Sequence, residues 1–362
     1  MIVGDLFAGV GGLSEGFRMD GFDIGFAIEF DKEIAESYKL NHPTTDVIAD
    51  DISKVDVEDL HKKHPDIDVI IGGPPCQGFS QKGKRLSLDD PRNFLFKQFV
   101  KFVAEFKPKY FVLENVPNII TTSNGYFKDE IIKSFGNLGY EVTCGVLYAR
   151  DFGVPQDRRR AVFIGQINKL EIGLPEPLNI HTTVKDAIYD LPFIKSGEGI
   201  EVTEYDKTAD SDYQKLMRDG CKKLYNHVAT NHSKSALERL KMIPKGAGKD
   251  ALPKELLTKS IYSGTWCRLL EDGIAPTITT RFDTPSSGRF THPILDRCLT
   301  IREAARIQSF PDSFRFYGSR TCQMKQVGNA VPPLLAKAVA DIMINYFKLF
   351  QKNFGQAIKY CA

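Results

Sequence analysis

An α/β fold, a mostly parallel sheet with helices on both faces, is predicted first by short apolar runs alternating with helical periodicity through the first half of the sequence. A second sign is the glycine-rich turn "AGVGG", which follows the first apolar run and opens a helix. The third is where the pattern stops. From about Pro192 to about Ser287 the chain is rich in Gly, Lys, Thr and Pro with few clear periods, which predicts a smaller, irregular inserted domain. A length of 362 residues suits two domains, and a composition 42% hydrophobic and 26% charged suits a substantial core.

Taken in order, "IVGDLF" reads as a strand and the residues from about Leu13 as a helix. "FDIGFAI" and "DKEIAESYKL" repeat that unit, and "DVIA" and "DVIIGG" are further strands. "NFLFKQFVKFVAEF" places Leu95, Phe99, Phe102, Val103 and Phe106 on one helical face. "KYFVLEN" is a strand, "FKDEIIKSF" a helix, and "EVTCGVLYA" with "RAVFIGQ" two closing strands. In "TIREAARIQ", Thr300 and Glu303 have the spacing of a capping box. "PPLLAKAVADIMINYFKLF" is an amphipathic helix begun by proline.

Composition excludes several classes. The seven cysteines are scattered and form no CxxC pair, which argues against a disulfide framework or zinc ribbon and for a reducing compartment. No HExxH occurs, no metal site is expected, and His61 and His64 of "HKKHPD" read as a solvated loop. No apolar run reaches the roughly 18 residues of a membrane span, and the N-terminus lacks the pattern of a signal peptide. Net charge is +2 but unevenly spread. Residues 196–212 carry six acids against one base, and residues 215–259 eleven bases against four acids. Such a basic block can face a polyanion, though a charge run is more often a solvated face.

In "DLFAGVGG", Gly9 and Gly11 supply a G-x-G, with Ser14 where a dinucleotide fingerprint has its third glycine. Glu29 follows Gly9 by twenty residues at the end of the second strand, where an acid accepts hydrogen bonds from ribose hydroxyls. Asp51 stands similarly after "DVIAD", within reach of an adenine amino group. Each acid alone could simply cap a helix, as Asp31 is placed to do. Together they predict a nucleoside-bearing cofactor, adenosyl rather than pyrophosphate.

In "DVIIGGPPCQGFSQKGKR", Cys76 lies just past a strand, on the sheet edge where α/β proteins bind ligands. Cys144 and Cys298 sit in apolar patterns and suit the usual reading of cysteine as a small buried hydrophobe. A Pro-Pro-Cys-Gln-Gly turn does not suit it, because proline fixes φ and holds the thiol in place. Cysteine is also strongly nucleophilic even as a small thiolate fraction. "SQKGKR" beyond it suits a lid that touches phosphate. Glu114 of "ENV" ends the next strand on the same edge, where a protonated carboxyl can donate to a ring nitrogen. Arg158 and Arg160 of "QDRRR" alternate and share one side of a strand.

"DLFAGVGG", "GGPPCQGFS", "ENV", "QDRRR" and "QVGNAVPP" occur in the order of the cytosine-5 DNA methyltransferases, which the chain resembles over about residues 1–190 and 295–345. The resemblance implies S-adenosylmethionine as cofactor, duplex DNA as partner, and a target cytosine flipped out of the helix. It implies attack of Cys76 on ring carbon 6, Glu114 acting at ring nitrogen 3, Arg160 holding the ring carbonyl, and methyl transfer to carbon 5. It places Phe7, Gly9, Gly12, Pro75, Leu95, Asn329 and Val331 around the cofactor, with Glu29 on the ribose and Asp51 on the adenine. Phe30 replaces the tryptophan that often follows the ribose acid, and Thr277 of "APTITT" matches a threonine near the flipped base. Arg158 is expected to brace loop backbone rather than act in catalysis.

The expected organisation is a Rossmann-like, S-adenosylmethionine-binding catalytic domain over 1–190, completed by 321–362. A target-recognition domain with its return segment lies over 191–320. The expected setting is a cytoplasmic, nucleoid-associated monomer paired with a cognate restriction endonuclease. The competing readings are an RNA cytosine methyltransferase, whose transfer-RNA group carries a Cys-Phe-Thr signature absent here, and a non-catalytic DNA-binding relative. An NAD-dependent oxidoreductase is more distant, because Ser14 breaks its fingerprint.

Overall fold

The computed structural model describes residues 1–75, 94–167, 172–257 and 264–360. The first half folds as the alternation predicts: β1 (Ile2–Leu6), α1 (Gly12–Met19), β2 (Asp23–Ile28), α2 (Lys32–Asn41), β3 (Asp46–Ile48), α3 (Val57–Lys63), β4 (Ile67–Gly72), α4 (Phe94–Phe106) and β5 (Tyr110–Asn115). Then come α5 (Tyr126–Gly136), β6 (Glu141–Tyr148) and β7 (Arg159–Gln166). These strands form one seven-stranded sheet in the order β3-β2-β1-β4-β5-β7-β6. β1 through β5 are parallel, and β7 inserts antiparallel between β5 and β6. The order reverses between β1 and β4, which opens a crevice at the carboxyl ends of those strands.

Both faces of the sheet are covered. One carries Val3, Val69, Ile71 and Val112 against Leu13 and Phe17 of α1 and Leu335, Ala336, Val339 and Met343 of α11 (Pro333–Tyr360). The other packs Phe26, Ile70 and Phe111 against Leu60 of α3, Phe99, Phe102 and Phe106 of α4, and Ile131 and Phe135 of α5. The buried stripe of α4 is Phe96, Phe99, Phe102, Val103 and Phe106. Leu95, expected on that stripe, is half-buried: it packs against this core and also faces the crevice.

Beyond β7 regular structure is sparse, as the loss of periodicity predicts. It consists of α6 (Val184–Ile188), an antiparallel pair β8 (Gly199–Thr203) and β9 (Leu224–Val228), α7 (Asp212–Arg218) and α8 (Lys234–Met242). α9 (Ile301–Ile307) has the predicted capping box between Thr300 and Glu303, and α10 (Arg320–Asn329) precedes α11. Short elements are held here by buried charge. Arg297 binds Glu303 through two bonds of 2.8 and 2.7 Å, and Arg306 binds Asp312 at 2.6 and 2.7 Å and Asp190 at 3.2 and 3.1 Å. Bidentate geometry of this kind satisfies both partners, which is what makes a buried guanidinium tolerable.

One stretch bears on the expectation about membrane spans. Arg320–Tyr346 is long and apolar enough by composition to cross a membrane, with mean hydropathy 1.3. Its window is 61% buried inside the fold, and α11 packs along α1, so these residues form a core helix. The contact is tight. A Cβ on Gly16 would lie 2.4 Å from the Pro333 carbonyl oxygen and 2.4 Å from the Ala336 methyl.

Candidate active site

At the carboxyl ends of β1, β2, β4 and β5 lies a cavity of ≈ 1040 Å³. Small-molecule sites typically span about 300–1000 Å³, so there is room for a nucleoside-sized ligand and a further group. The described residues lining it include Phe7, Gly9, Gly12, Glu29, Asp51, Pro75, Leu95, Glu114, Arg160, Asn329 and Val331. The sequence singled out each of these. Cys76 lies outside the described residues, and Pro75, the residue before it, is on the wall.

The glycine turn shapes one end. Phe7 and Gly9 have φ of 57° and 56°, a region that non-glycine residues enter at a cost. Gly12 is required by packing, since a Cβ there would lie 2.3 Å from the Val331 carbonyl oxygen. The "GNAVPP" segment is thereby pressed onto the start of α1. Glu29 accepts the Gly9 N–H at 2.8 Å and the Asp31 N–H at 2.8 Å, so the second strand end holds the turn in place. Burial raises the Glu29 carboxyl above its usual range, and these N–H groups partly offset that. Asp31 caps α2, as anticipated. Asp51 accepts the Ser53 N–H at 2.9 Å through one oxygen, which leaves the other for a ligand. Phe30 is 73% exposed at the rim.

The sequence did not foretell what lies behind the turn. Asp5, fully buried in β1, accepts the Ser14 hydroxyl at 2.7 Å, and the Tyr38 hydroxyl donates to Ser14 at 2.6 Å. Ser14 therefore stands where a glycine was expected because it links β1 to α2. The readable signal was an aspartate inside an apolar strand, which demands a partner. Burial raises the Asp5 carboxyl to about 7, with the charge of Glu29 adding to the effect and the Ser14 and Tyr38 hydroxyls opposing it. A folded-state pKa above the unfolded value means the folded chain holds this proton more tightly. The stability it lends is complete below about pH 4 and lost as pH rises through about 7. Asp5→Asn keeps an acceptor for Ser14 without the charge. Its melting temperature relative to wild type should therefore climb steadily from pH 5 to pH 8, by the equivalent of about 3 kcal/mol. A difference that stays flat with pH would contradict the role given to Asp5.

At the other end, Glu114 and Arg160 meet, Arg160 Nε lying 2.5 Å from Glu114 Oε1. The sheet sets this up. Glu114 pairs in register with Val162, so Arg160, two residues away on the antiparallel strand, shares its face. Gly73 makes room, since a Cβ there would lie 2.9 Å from Glu114 Oε2. Burial raises the Glu114 carboxyl, and the charges of Arg160 and Arg158 oppose that rise. Asn115 donates to the Pro74 carbonyl at 2.9 Å and so holds the chain that leads to Cys76.

Arg158 braces, as expected. Its guanidinium donates to the Ile278 carbonyl at 3.0 Å and the Gly328 carbonyl at 2.8 Å, which ties the strip carrying Thr277 to α10. Gln156 and Gln308 continue the tie. Gln156 accepts the Ile278 N–H at 2.8 Å and donates to Gln308 at 2.6 Å, and Gln308 donates to the Val327 carbonyl at 2.7 Å. Thr277 lines the cavity and donates to the Asp157 carbonyl at 2.7 Å. Cys298 is buried, as expected, and Cys144 half-buried. His61 and His64, expected in a solvated loop, instead sit in and just past α3, half-buried, and pair with Glu105 and Asp46, both at 3.0 Å. Among the described residues no cluster of His, Cys, Asp and Glu is arranged to hold a metal ion.

Comparison with known proteins places the chain in a family. A profile of the C-5 cytosine-specific DNA methylases matches residues 1–345. The chain is 41% identical to the type II methyltransferase M.DdeI of Desulfomicrobium norvegicum, over 95% of this chain and 88% of that one. It is 39% identical to the type II methyltransferase M1.HphI of Haemophilus parahaemolyticus, over 94% and 86%. A solved structure described as a DNA modification methyltransferase encoded within a prophage (E. coli) superposes with a TM-score of 0.79 at 31% identity, covering 96% of this chain and 99% of that one. DNMT2 of Spodoptera frugiperda shares the fold, with a TM-score of 0.62 at 16% identity. The chain belongs to the C-5 cytosine-specific DNA methylases and is a DNA (cytosine-5-)-methyltransferase.

Proposed function

We propose that this enzyme methylates carbon 5 of a cytosine flipped out of duplex DNA, with S-adenosylmethionine as donor and Cys76 as nucleophile. The observation that carries the reading is the single cavity wall shared by the adenosyl-type acids Glu29 and Asp51, the Glu114–Arg160 pair and Pro75, next in the chain to the thiol. The acids fit the donor. Glu29 keeps lone pairs after accepting two N–H groups, and three carboxylates on the lining (Glu29, Asp50 and Asp51) suit a ligand bearing a sulfonium. Phe7, Gly9, Gly12, Leu95, Asn329 and Val331 complete that wall. When bound, the donor supplies a methyl group on positively charged sulfur.

The residues of the chain divide the remaining work. The Cys76 thiolate adds to ring carbon 6. Glu114, its protonated form favoured by burial, gives its proton to ring nitrogen 3, so the electrons of the opened double bond collect at carbon 5. Arg160 gives up part of its hydrogen bonding with Glu114 and donates to the ring carbonyl. Carbon 5 takes the methyl group as its bond to the sulfonium breaks, the pair staying on sulfur as a neutral thioether. Carbon 5 then loses its proton to solvent water, and the electrons left behind expel the Cys76 thiolate while nitrogen 3 returns its proton to Glu114. Glu114→Gln should lower methyl transfer by about 10²–10⁴-fold, the usual contribution of general acid catalysis, with donor affinity unchanged. Tritiated methyl transfer to duplex DNA and to RNA tests the reading. Incorporation into DNA as 5-methylcytosine supports it, and incorporation into RNA alone would replace it.

Residues 1–190 with 321–362 form the catalytic unit in this reading, and 191–320 the target-recognition unit. The basic block over 215–259 lies on DNA through exposed lysines such as Lys222 and Lys223. Lys245, exposed but bound to Glu271 at 2.8 Å, is the weaker phosphate contact. The type II relatives support a partner endonuclease of the same specificity, and the enzyme is taken to work as a monomer on nucleoid DNA in the cytoplasm.

A further inference from the structure

Among the described residues lining the cavity, three carry positive charge: Arg158, Arg160 and Lys325. Two are committed inside the protein, Arg158 to the carbonyls of Ile278 and Gly328 and Arg160 to Glu114. Lys325, on α10, makes no hydrogen bond or ion pair with any described residue. It is exposed, so it stands at the mouth of the cavity and not on its floor. Its helix face adjoins the threonine strip. Gly328, one turn on, is pressed so close to that strip that a Cβ would lie 2.3 Å from the Thr279 carbonyl oxygen. Thr277, Thr279 and Thr280 line the same wall, and Thr277 and Thr279 are exposed. Arg158 ties this wall to the segment that carries Arg160.

We propose that Lys325 grips a phosphate flanking the nucleotide whose base enters the cavity. The inference rests on the DNA methyltransferase reading above. A base that swings into a pocket leaves its own phosphates at the entrance. There a flexible ammonium without an internal partner can form a charge-assisted bond at little cost. The donor's carboxylate is the other anion in the reaction. Lys325 is exposed at the rim and adjoins the threonine strip through Gly328, and the donor-affinity measurement below separates the two anions.

The test is Lys325→Gln, with Lys325→Arg as its conservative partner, in the full-length enzyme. kcat/KM for DNA is measured by tritiated methyl transfer to genomic DNA from a host lacking cytosine methylation, across a series of NaCl concentrations. Donor affinity is measured separately by calorimetry with S-adenosylmethionine. Loss of one phosphate contact should make the slope of log kcat/KM against log[NaCl] shallower by about 0.9. kcat/KM should fall roughly 10-fold at low salt, where a charge-assisted bond is worth about 1.4 kcal/mol or more. Donor affinity should hold, and Lys325→Arg should keep the wild-type slope. An unchanged slope would overturn the proposal, as would weakened donor binding at constant slope, which would assign Lys325 to the donor carboxylate. If the wild-type enzyme transfers no methyl group to DNA, the parent reading fails first, and the proposal with it.

Discussion

Cys76→Ala is expected to abolish methyl transfer to DNA while leaving S-adenosylmethionine affinity within about twofold. The thiol supplies a covalent bond to carbon 6, and without that bond carbon 5 of cytosine is too poor a nucleophile to take a methyl group. Removing a catalytic nucleophile typically costs on the order of 10⁴–10⁶ in rate. The residues proposed to hold the donor are others, from Phe7 and Glu29 to Val331. Calorimetry on the variant checks the second half of the expectation. A variant that still transfers methyl groups at even a hundredth of the wild-type rate would remove Cys76 from the mechanism.

Truncation after Ser319 is expected to have the second largest effect, loss of donor binding together with the cooperative melting transition. The missing residues include α10 and α11, and Val331, Leu335, Ala336, Val339, Ala340 and Met343 of this segment are buried in the core that covers one face of the sheet. Removing large buried side chains costs about 2–5 kcal/mol each, against a total stability of about 5–15 kcal/mol. Asn329 and Val331 also leave the cavity wall. A truncated chain that melted cooperatively and kept its affinity for S-adenosylmethionine would show that the N-terminal segment is self-sufficient.

The cavity wall was largely legible in the sequence because its determinants are local. A glycine turn after an apolar run, and acids or "ENV" at the ends of later runs, fall on one sheet edge once the strands are parallel. Where sequence reasoning failed, the partner was remote. Tyr38 meets Ser14 across 24 positions. The carbonyls that hold Arg158 lie 120 and 170 positions away, and only the preference for a bracing role, not its partners, could be anticipated. Leu95 shows a different failure. The period and phase of α4 were right for Phe99, Phe102, Val103 and Phe106; at the first turn both Leu95 and Phe96 are apolar, and only the fold decides that Phe96 is the fully buried one. The C-terminal helix was legible as amphipathic, but hydropathy alone measures burial without saying whether protein or lipid provides it.

The central claim is that Cys76 forms the bond to a DNA cytosine that this cavity has taken in. The most direct measurement is mass spectrometry of the wild-type enzyme incubated with S-adenosylmethionine and duplex DNA in which 5-fluorocytosine replaces cytosine. Fluorine at carbon 5 cannot leave as a proton, so the reaction should stop after methyl transfer, with the nucleotide still attached. The account predicts a stable adduct, one methyl group heavier than enzyme plus DNA, mapping to the peptide that contains Cys76. No adduct under conditions where ordinary DNA is methylated, or an adduct on any other cysteine, would contradict it.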